Sequence, residues 1–231
     1  MIRNRIGSSA FLLFLTVAIL SGAVSAQGKK VELSGSIGYT TSSGFDVEPV
    51  TISPGVVVDS LAPKSGFSWG FQGDYNVTPN IGVGFLFSRQ SGKLLAGVRG
   101  GGEQEITEMP IYNYHGVFTY NIGEEDSTVR PFVFGGLGAT QYSPDSFSIT
   151  RPGSVTTVDL GGLTKFSTTW GGGVKIFPSK SFGFKLGARW TPTYITSDPD
   201  GIWCTPFYCY VVGDSKFSHQ FEFSGGVVVR F

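Results

Sequence analysis

Residues 216–231 read KFSHQFEFSGGVVVRF, and their alternation decides how the rest of the chain is read. Phe217, Phe221, Phe223, Val227, Val229 and Phe231 fall on one side of an extended backbone, and Ser218, Gln220, Glu222, Ser224, Val228 and Arg230 on the other. Successive side chains of a β-strand point to opposite faces. The segment therefore predicts a strand with one apolar face and one mainly polar face, ending on an aromatic residue.

Working backwards, the same pattern recurs seven times. Val31 to Thr41 sets Val31, Leu33, Ile37 and Tyr39 against Glu32, Ser34, Ser36 and Thr40. Phe67 to Tyr75 sets Phe67, Trp69, Phe71 and Tyr75 against Ser68, Gly70, Gln72 and Asp74. After the turn chemistry of Pro79-Asn80, Ile81, Val83, Phe85 and Phe87 oppose Gly82, Gly84 and Ser88. In Ile111 to Tyr120, Tyr112, Tyr114, Phe118 and Tyr120 oppose Asn113, His115 and Thr119. Arg130 to Tyr142 has no clean apolar face, because Phe132 and Phe134 oppose Val133 and Leu137, and its facing stays open. Phe166 to Phe177 sets Trp170, Val174 and Ile176 against Thr169, Gly171, Gly173 and Lys175. In the seventh segment Phe182, Phe184, Leu186 and Trp190 oppose Lys185 and Arg189.

Segments of about ten residues that alternate apolar and polar are the sequence pattern of a membrane-spanning β-barrel. The gaps between them also alternate: long near 43–66, 91–105, 143–165 and 191–216, short elsewhere. The expectation is an all-β, eight-stranded, antiparallel, up-and-down transmembrane barrel with short periplasmic turns and long extracellular loops. An even strand count lets the first and last strands pair, so no open edge is left in the hydrocarbon. A soluble eight-stranded barrel around a ligand cavity would need the reverse facing, apolar inside and polar outside.

Composition agrees. The chain has 34 glycines and 20 phenylalanines in 231 residues, and 15% charged residues, against about 25% in soluble domains. At the start, Arg3 and Arg5 precede an apolar run from Ala10 to Leu20 and small residues ending at Val24, Ser25 and Ala26. That order is a signal-peptide pattern, and the run falls short of the roughly 20 residues a membrane-spanning helix needs. Residues 1–26 are expected to be removed, leaving a barrel domain over 27–231 with 15 basic and 17 acidic residues. A formal charge of −2 gives no electrostatic motive for nucleic-acid binding.

The closing FEFSGGVVVRF (221–231) and VRPFVFGGLGAT (129–140) resemble the small outer-membrane β-barrel domain proteins, which include the OmpA-like, OmpX-like and OmpW-like barrels. The second stretch looks like that family's Arg-Pro-aromatic opening of the fifth strand. The first looks like a β-signal, carried here by Phe221, Phe223, Val227, Val229 and Phe231. The resemblance implies integral insertion in a bacterial outer membrane, contact with outer-membrane lipid and lipopolysaccharide, and reading of the last strand by the barrel assembly machinery. Fold analogy does not choose an activity.

The polar residues assigned inward are Gln72, Asp74, His115, Lys175, Lys185, Arg189, Glu222 and Arg230. They could line a selective pore, but an eight-stranded interior is just wide enough to be filled by side chains, so a salt-bridged plug is the expectation. Cys204 and Cys209 are the only cysteines, and in an oxidising compartment they suggest a disulfide closing a short loop, with two free thiols as the alternative. Trp203, Phe207, Tyr208 and Tyr210 surround them, either as a binding surface or as rings packed on the barrel rim.

No catalytic, cofactor or metal motif stands out. His219 shares the parity of Phe217 and Phe221, a placement that resembles lipid A deacylase barrels, but their His-x-Ser-Asn pattern is missing, since Gln220, Phe221 and Glu222 follow it. Asp198 and Asp200 do not match a calcium loop, and the Gly-rich runs lack a following Gly-Lys-Ser/Thr. The expected role is non-enzymatic, in envelope integrity or surface interaction through the extracellular loops. A narrow OmpW-like channel for small or apolar solutes is the alternative, and a lipid-modifying enzyme comes third.

Overall fold

A computed structural model describes residues 30–53, 56–98, 101–151, 154–158, 161–195, 203–204, 209–210 and 216–231. In chain order its strands are β1 (Val31–Ser42), β2 (Phe45–Ser53), β3 (Val56–Pro63), β4 (Gly66–Asn76), β5 (Ile81–Gln90), β6 (Lys93–Val98), β7 (Glu103–Glu108), β8 (Ile111–Asn121), β9 (Val129–Tyr142), β10 (Phe147–Arg151), β11 (Ser154–Val158), β12 (Leu163–Ile176), β13 (Phe182–Ile195), β14 (Trp203–Cys204), β15 (Cys209–Tyr210) and β16 (Lys216–Arg230).

Eight of these close into one antiparallel barrel in the order β1-β16-β13-β12-β9-β8-β5-β4. They are the eight alternating segments of the sequence. The seam joins the two ends of the chain: Leu33 stands opposite Val229 and Tyr39 opposite Phe223. Phe231 N–H donates to the Val31 carbonyl at 2.9 Å. Closure pairs the backbone groups of the outer strands, which lipid could not satisfy.

The facing is inverted relative to a soluble protein. Phe223 is 70% exposed while Glu32, on the adjacent strand and the opposite face, is 2% exposed. Ile37, Leu137, Phe166 and Trp170 are exposed outward, and Asn113, His115, Thr169 and Arg230 are buried within. Among the described residues no helix is long and apolar enough to cross a membrane; the strands do so.

The facing left open in the fifth segment is settled: Phe132 and Phe134 point into the lumen, and Val133 and Leu137 point out. Short turns close one end. Asn80 ties two of them together, its side-chain amide donating to the carbonyls of Asn121 (2.7 Å) and Gly123 (2.8 Å). Gly123 has φ +94°, a left-handed conformation that a side chain disfavours.

At the other end the long gaps hold more than loop. β2, β3, β6 and β7 form a four-stranded sheet in that order, because β3 pairs with β6 across two separate hairpins, as in Leu61 opposite Ala96. β10 and β11 make a further hairpin. The hairpins of the four-stranded sheet prolong the barrel strands with only two-residue breaks at Ser43-Gly44, Lys64-Ser65, Ser91-Gly92 and Met109-Pro110.

Candidate functional site

Alternation obliges each barrel strand to send every second side chain into the lumen, and the inward set is polar and charged. Near the short-turn end, Arg230 lies 3.8 Å from the centre of the Phe177 ring. It donates to the carbonyls of Lys180 (2.9 Å) and Glu125 (2.7 Å). Arg130 donates to the Pro79 carbonyl and approaches Glu32 at 4.0 Å. Glu32 is also paired with Lys175, whose ammonium donates to the Asn121 side-chain oxygen at 2.9 Å.

The next level up is aromatic and polar together. Phe132 and Phe134 stack with ring centres 6.1 Å apart, and the ammoniums of Lys175 and Lys185 stand 5.3 and 5.0 Å from the Phe132 ring centre. Lys185 donates to the Gln72 side-chain carbonyl at 2.8 Å. The amide of Gln72 in turn donates to Asp74 Oδ2 at 2.8 Å, and Thr119 donates to Asp74 Oδ1 at 3.3 Å.

Above this, Arg189 donates to Glu222 at 2.7 Å and to the Ser88 hydroxyl at 2.7 Å, and Thr40 donates to Glu222 at 3.2 Å. The level nearest the long hairpins is uncharged: Asn113 donates to Gln220 (3.0 Å), Thr140 donates to Asn113 (2.7 Å), and His115 Nε2 lies 2.9 Å from the Ser167 hydroxyl. A cavity of about 40 Å³ remains between the Phe132 and Arg189 levels, lined by Ser34, Ser36, Lys185 and Arg189 among others. That is room for a water or two.

All eight residues assigned to the lumen by alternation therefore point inward. Gln72, Asp74 and Lys185 are brought into one chain of hydrogen bonds, Arg189 and Glu222 into a pair, and His115 into a separate neutral cluster. Three participants were missed. Glu32 lay on the polar parity of its strand, so alternation could have found it, whereas Arg130 shares its parity with Phe132 and Phe134 on the strand whose facing stayed open, and alternation could not place it. Phe132 carried no such signal, because its neighbours on both faces are apolar.

The outer membrane protein beta-barrel domain family matches residues 10–231. The chain belongs to that family. Neisserial surface protein A is similar in structure at 16% identity and a TM-score of 0.53, with 87% of this chain and 97% of that one covered. OprG from Pseudomonas aeruginosa is similar at 13% identity and a TM-score of 0.53, with 88% and 96% covered. No curated protein matches the chain.

As an outer membrane protein beta-barrel domain, the chain is integral to the bacterial outer membrane, with lipid around its exposed apolar face. His219 lies on that outer face: Trp190 Nε1 donates to its Nδ1 at 3.3 Å, and the Phe217 ring stacks on it with centres 6.3 Å apart. Phe221, Phe223 and Val227 are exposed on the same face, with Val229 and Phe231 half-buried at its end. Cys204 and Cys209 stand directly opposite each other in the β14–β15 ladder, as do Trp203 and Tyr210. Phe207 and Tyr208 lie outside the described residues, as do residues 1–26.

Proposed function

We propose that this outer-membrane barrel is a closed, non-enzymatic envelope protein that supports the integrity of the membrane and meets external partners through its extracellular hairpins. The observation that carries the reading is the succession of partnered side chains that reach across the lumen. Arg230, Arg130, Glu32 and Lys175 occupy one level, Phe132 with Lys185, Gln72 and Asp74 the next, and Arg189 with Glu222 a third. A channel needs a connected void, and an interior this narrow is readily blocked by its own side chains. Charged groups in such a plug are held by their partners, since a buried charge without one is strongly destabilising.

Chemistry in the lumen is disfavoured on the same geometry. His115 and Ser167 lie within hydrogen-bond reach, but His115 Nδ1 has no hydrogen-bond partner to orient it, whereas an activated hydroxyl needs a base that is itself oriented. The same reading takes residues 1–26 as an export signal, the last strand as the segment recognised by the assembly machinery, lipopolysaccharide as the lipid partner of the outer leaflet, and the Cys204–Cys209 loop with Trp203, Phe207, Tyr208 and Tyr210 as a surface for external ligands.

The test is single-channel recording of the mature protein in a planar bilayer. A silent barrel is expected. Discrete, solute-dependent conductance would replace this reading with that of a narrow channel.

A further inference from the structure

Arg89 is out of place on a lipid-facing barrel. It lies on the outward parity of β5, directly opposite Trp69 on β4 and Tyr112 on β8, one residue from the end of its strand where the long hairpins begin. A charge on the lipid face is tolerated only near the interface, and there it normally finds a counter-charge. Arg89 has none: its guanidinium lies 5.8 Å from the centre of the Tyr112 ring, its Nε is shielded without a hydrogen-bond partner, and it has no ion pair among the described residues.

Arg89 borders a pocket of about 440 Å³ that also takes in Lys64, Lys93, Tyr112, Glu108 and Asp145, a volume within the usual range of about 300–1,000 Å³ for small-molecule sites. The two lysines share a single carboxylate, Glu105, at 2.6 Å each, so that trio keeps a net positive charge. Glu108 stands opposite Lys93 in the β6–β7 ladder, so the lysine charges are balanced, and the rim combines one unpaired guanidinium with two carboxylates, Glu108 and Asp145, and an aromatic face.

We infer that this rim pocket binds the phosphorylated sugar headgroup of an outer-leaflet glycolipid, with Arg89 and a lysine on the phosphate and Glu108 and Asp145 accepting from sugar hydroxyls. An arginine fork matches phosphate oxygens in a way a point charge does not. A simple phosphodiester headgroup offers the carboxylates fewer donors and meets their repulsion, which favours the sugar phosphate. The site rests on lipopolysaccharide being the lipid partner and adds where and how it is held; it does not depend on whether the lumen conducts.

The mature protein, folded in detergent as judged by a heat-modifiable band on gels, is titrated calorimetrically with bisphosphorylated lipid A, phosphatidylglycerol and inorganic phosphate. Wild type binds lipid A about tenfold more tightly than either of the others, and Arg89→Gln loses about tenfold while Lys30→Gln, an equal loss of charge elsewhere, binds as wild type. Arg89→Lys retains part of the affinity. If Arg89→Gln gives no folded band, Lys64→Gln/Lys93→Gln, at exposed positions, carries the test with the same expected loss. Wild-type affinity in a folded Arg89→Gln or Lys64→Gln/Lys93→Gln variant overturns the site alone. Equal binding of phosphatidylglycerol or inorganic phosphate overturns the sugar-phosphate assignment, and no binding of lipid A by wild type overturns both the site and the lipopolysaccharide reading beneath it.

Discussion

Lys185 holds its ammonium 5.0 Å from the centre of the Phe132 ring, with Lys175 at 5.3 Å. A cation near an aromatic face is attracted by the ring quadrupole, more strongly when desolvated. One phenylalanine therefore organises two lysines that come from neighbouring strands, near the short-turn end of the barrel where Phe132 stands opposite Asn121, and on the proposed reading the three together close the lumen.

Replacing Phe132 by alanine removes that organiser. Urea unfolding in lipid should register a loss of about 3 kcal/mol, as for other buried Phe→Ala changes. Bilayer recording should show current where the parent is silent. A variant as stable and as silent as the parent would mean that the ring does not close the lumen.

The Arg189–Glu222 pair predicts non-additivity. Arg189→Met or Glu222→Leu alone leaves a charge buried without its partner and should cost about 3 kcal/mol, whereas Arg189→Met/Glu222→Leu should recover most of it. A double-mutant cycle on unfolding free energies gives the coupling. Additive losses would show that Ser88 and Thr40, rather than the pair, hold these groups.

In the hairpin sheet, Glu105 is held down to about 2 by hydrogen bonds from Lys64 and then Lys93, and the Lys93 ammonium is raised by the hydrogen bond it donates to the same carboxylate. A depressed carboxyl contributes stability above its unfolded value, 4.5, and loses it as pH falls through the folded value. The contacts of Lys64 and Lys93 should persist at pH 5 and fade towards pH 2. Carboxyl NMR titration of Glu105 should find its midpoint near 2 and Glu105→Gln should lower that of Lys93; a midpoint above 4 would show that the bridge is not populated.

Cys204 stands opposite Cys209, so the oxidised protein should carry a disulfide within this loop. Intact mass should rise by two hydrogens on reduction, and reduction should quicken protease cleavage between residues 196 and 215 while leaving the barrel core resistant. Two thiols that alkylate without prior reduction would refute the bridge.

The barrel was legible because facing is a local property. A period of two along Val31–Thr41 or Phe217–Phe231 places each side chain in or out without knowledge of any partner, and the eight repeats set the strand count. The hairpin sheet was not legible, because β3 and β6 pair across two separate gaps and neither strand has an alternation that stands out in sequence. The candidate site was half legible: parity put Lys175, Lys185, Arg189 and Glu222 inside and Arg89 outside, but Arg89 looks like any charge at a strand end until Trp69 and Tyr112 are seen beside it.

By itself the sequence determined that eight strands cross the membrane, which residues of seven of them face lipid, and most of the charges that lie in the lumen. The tertiary structure alone decided that Phe132 and not Val133 turns inward, and that Lys175 meets Glu32 from a strand 143 residues away. The reason is that alternation is written residue by residue along each strand, whereas the height at which two side chains meet across the lumen depends on how every strand is staggered against the next around the closed ring.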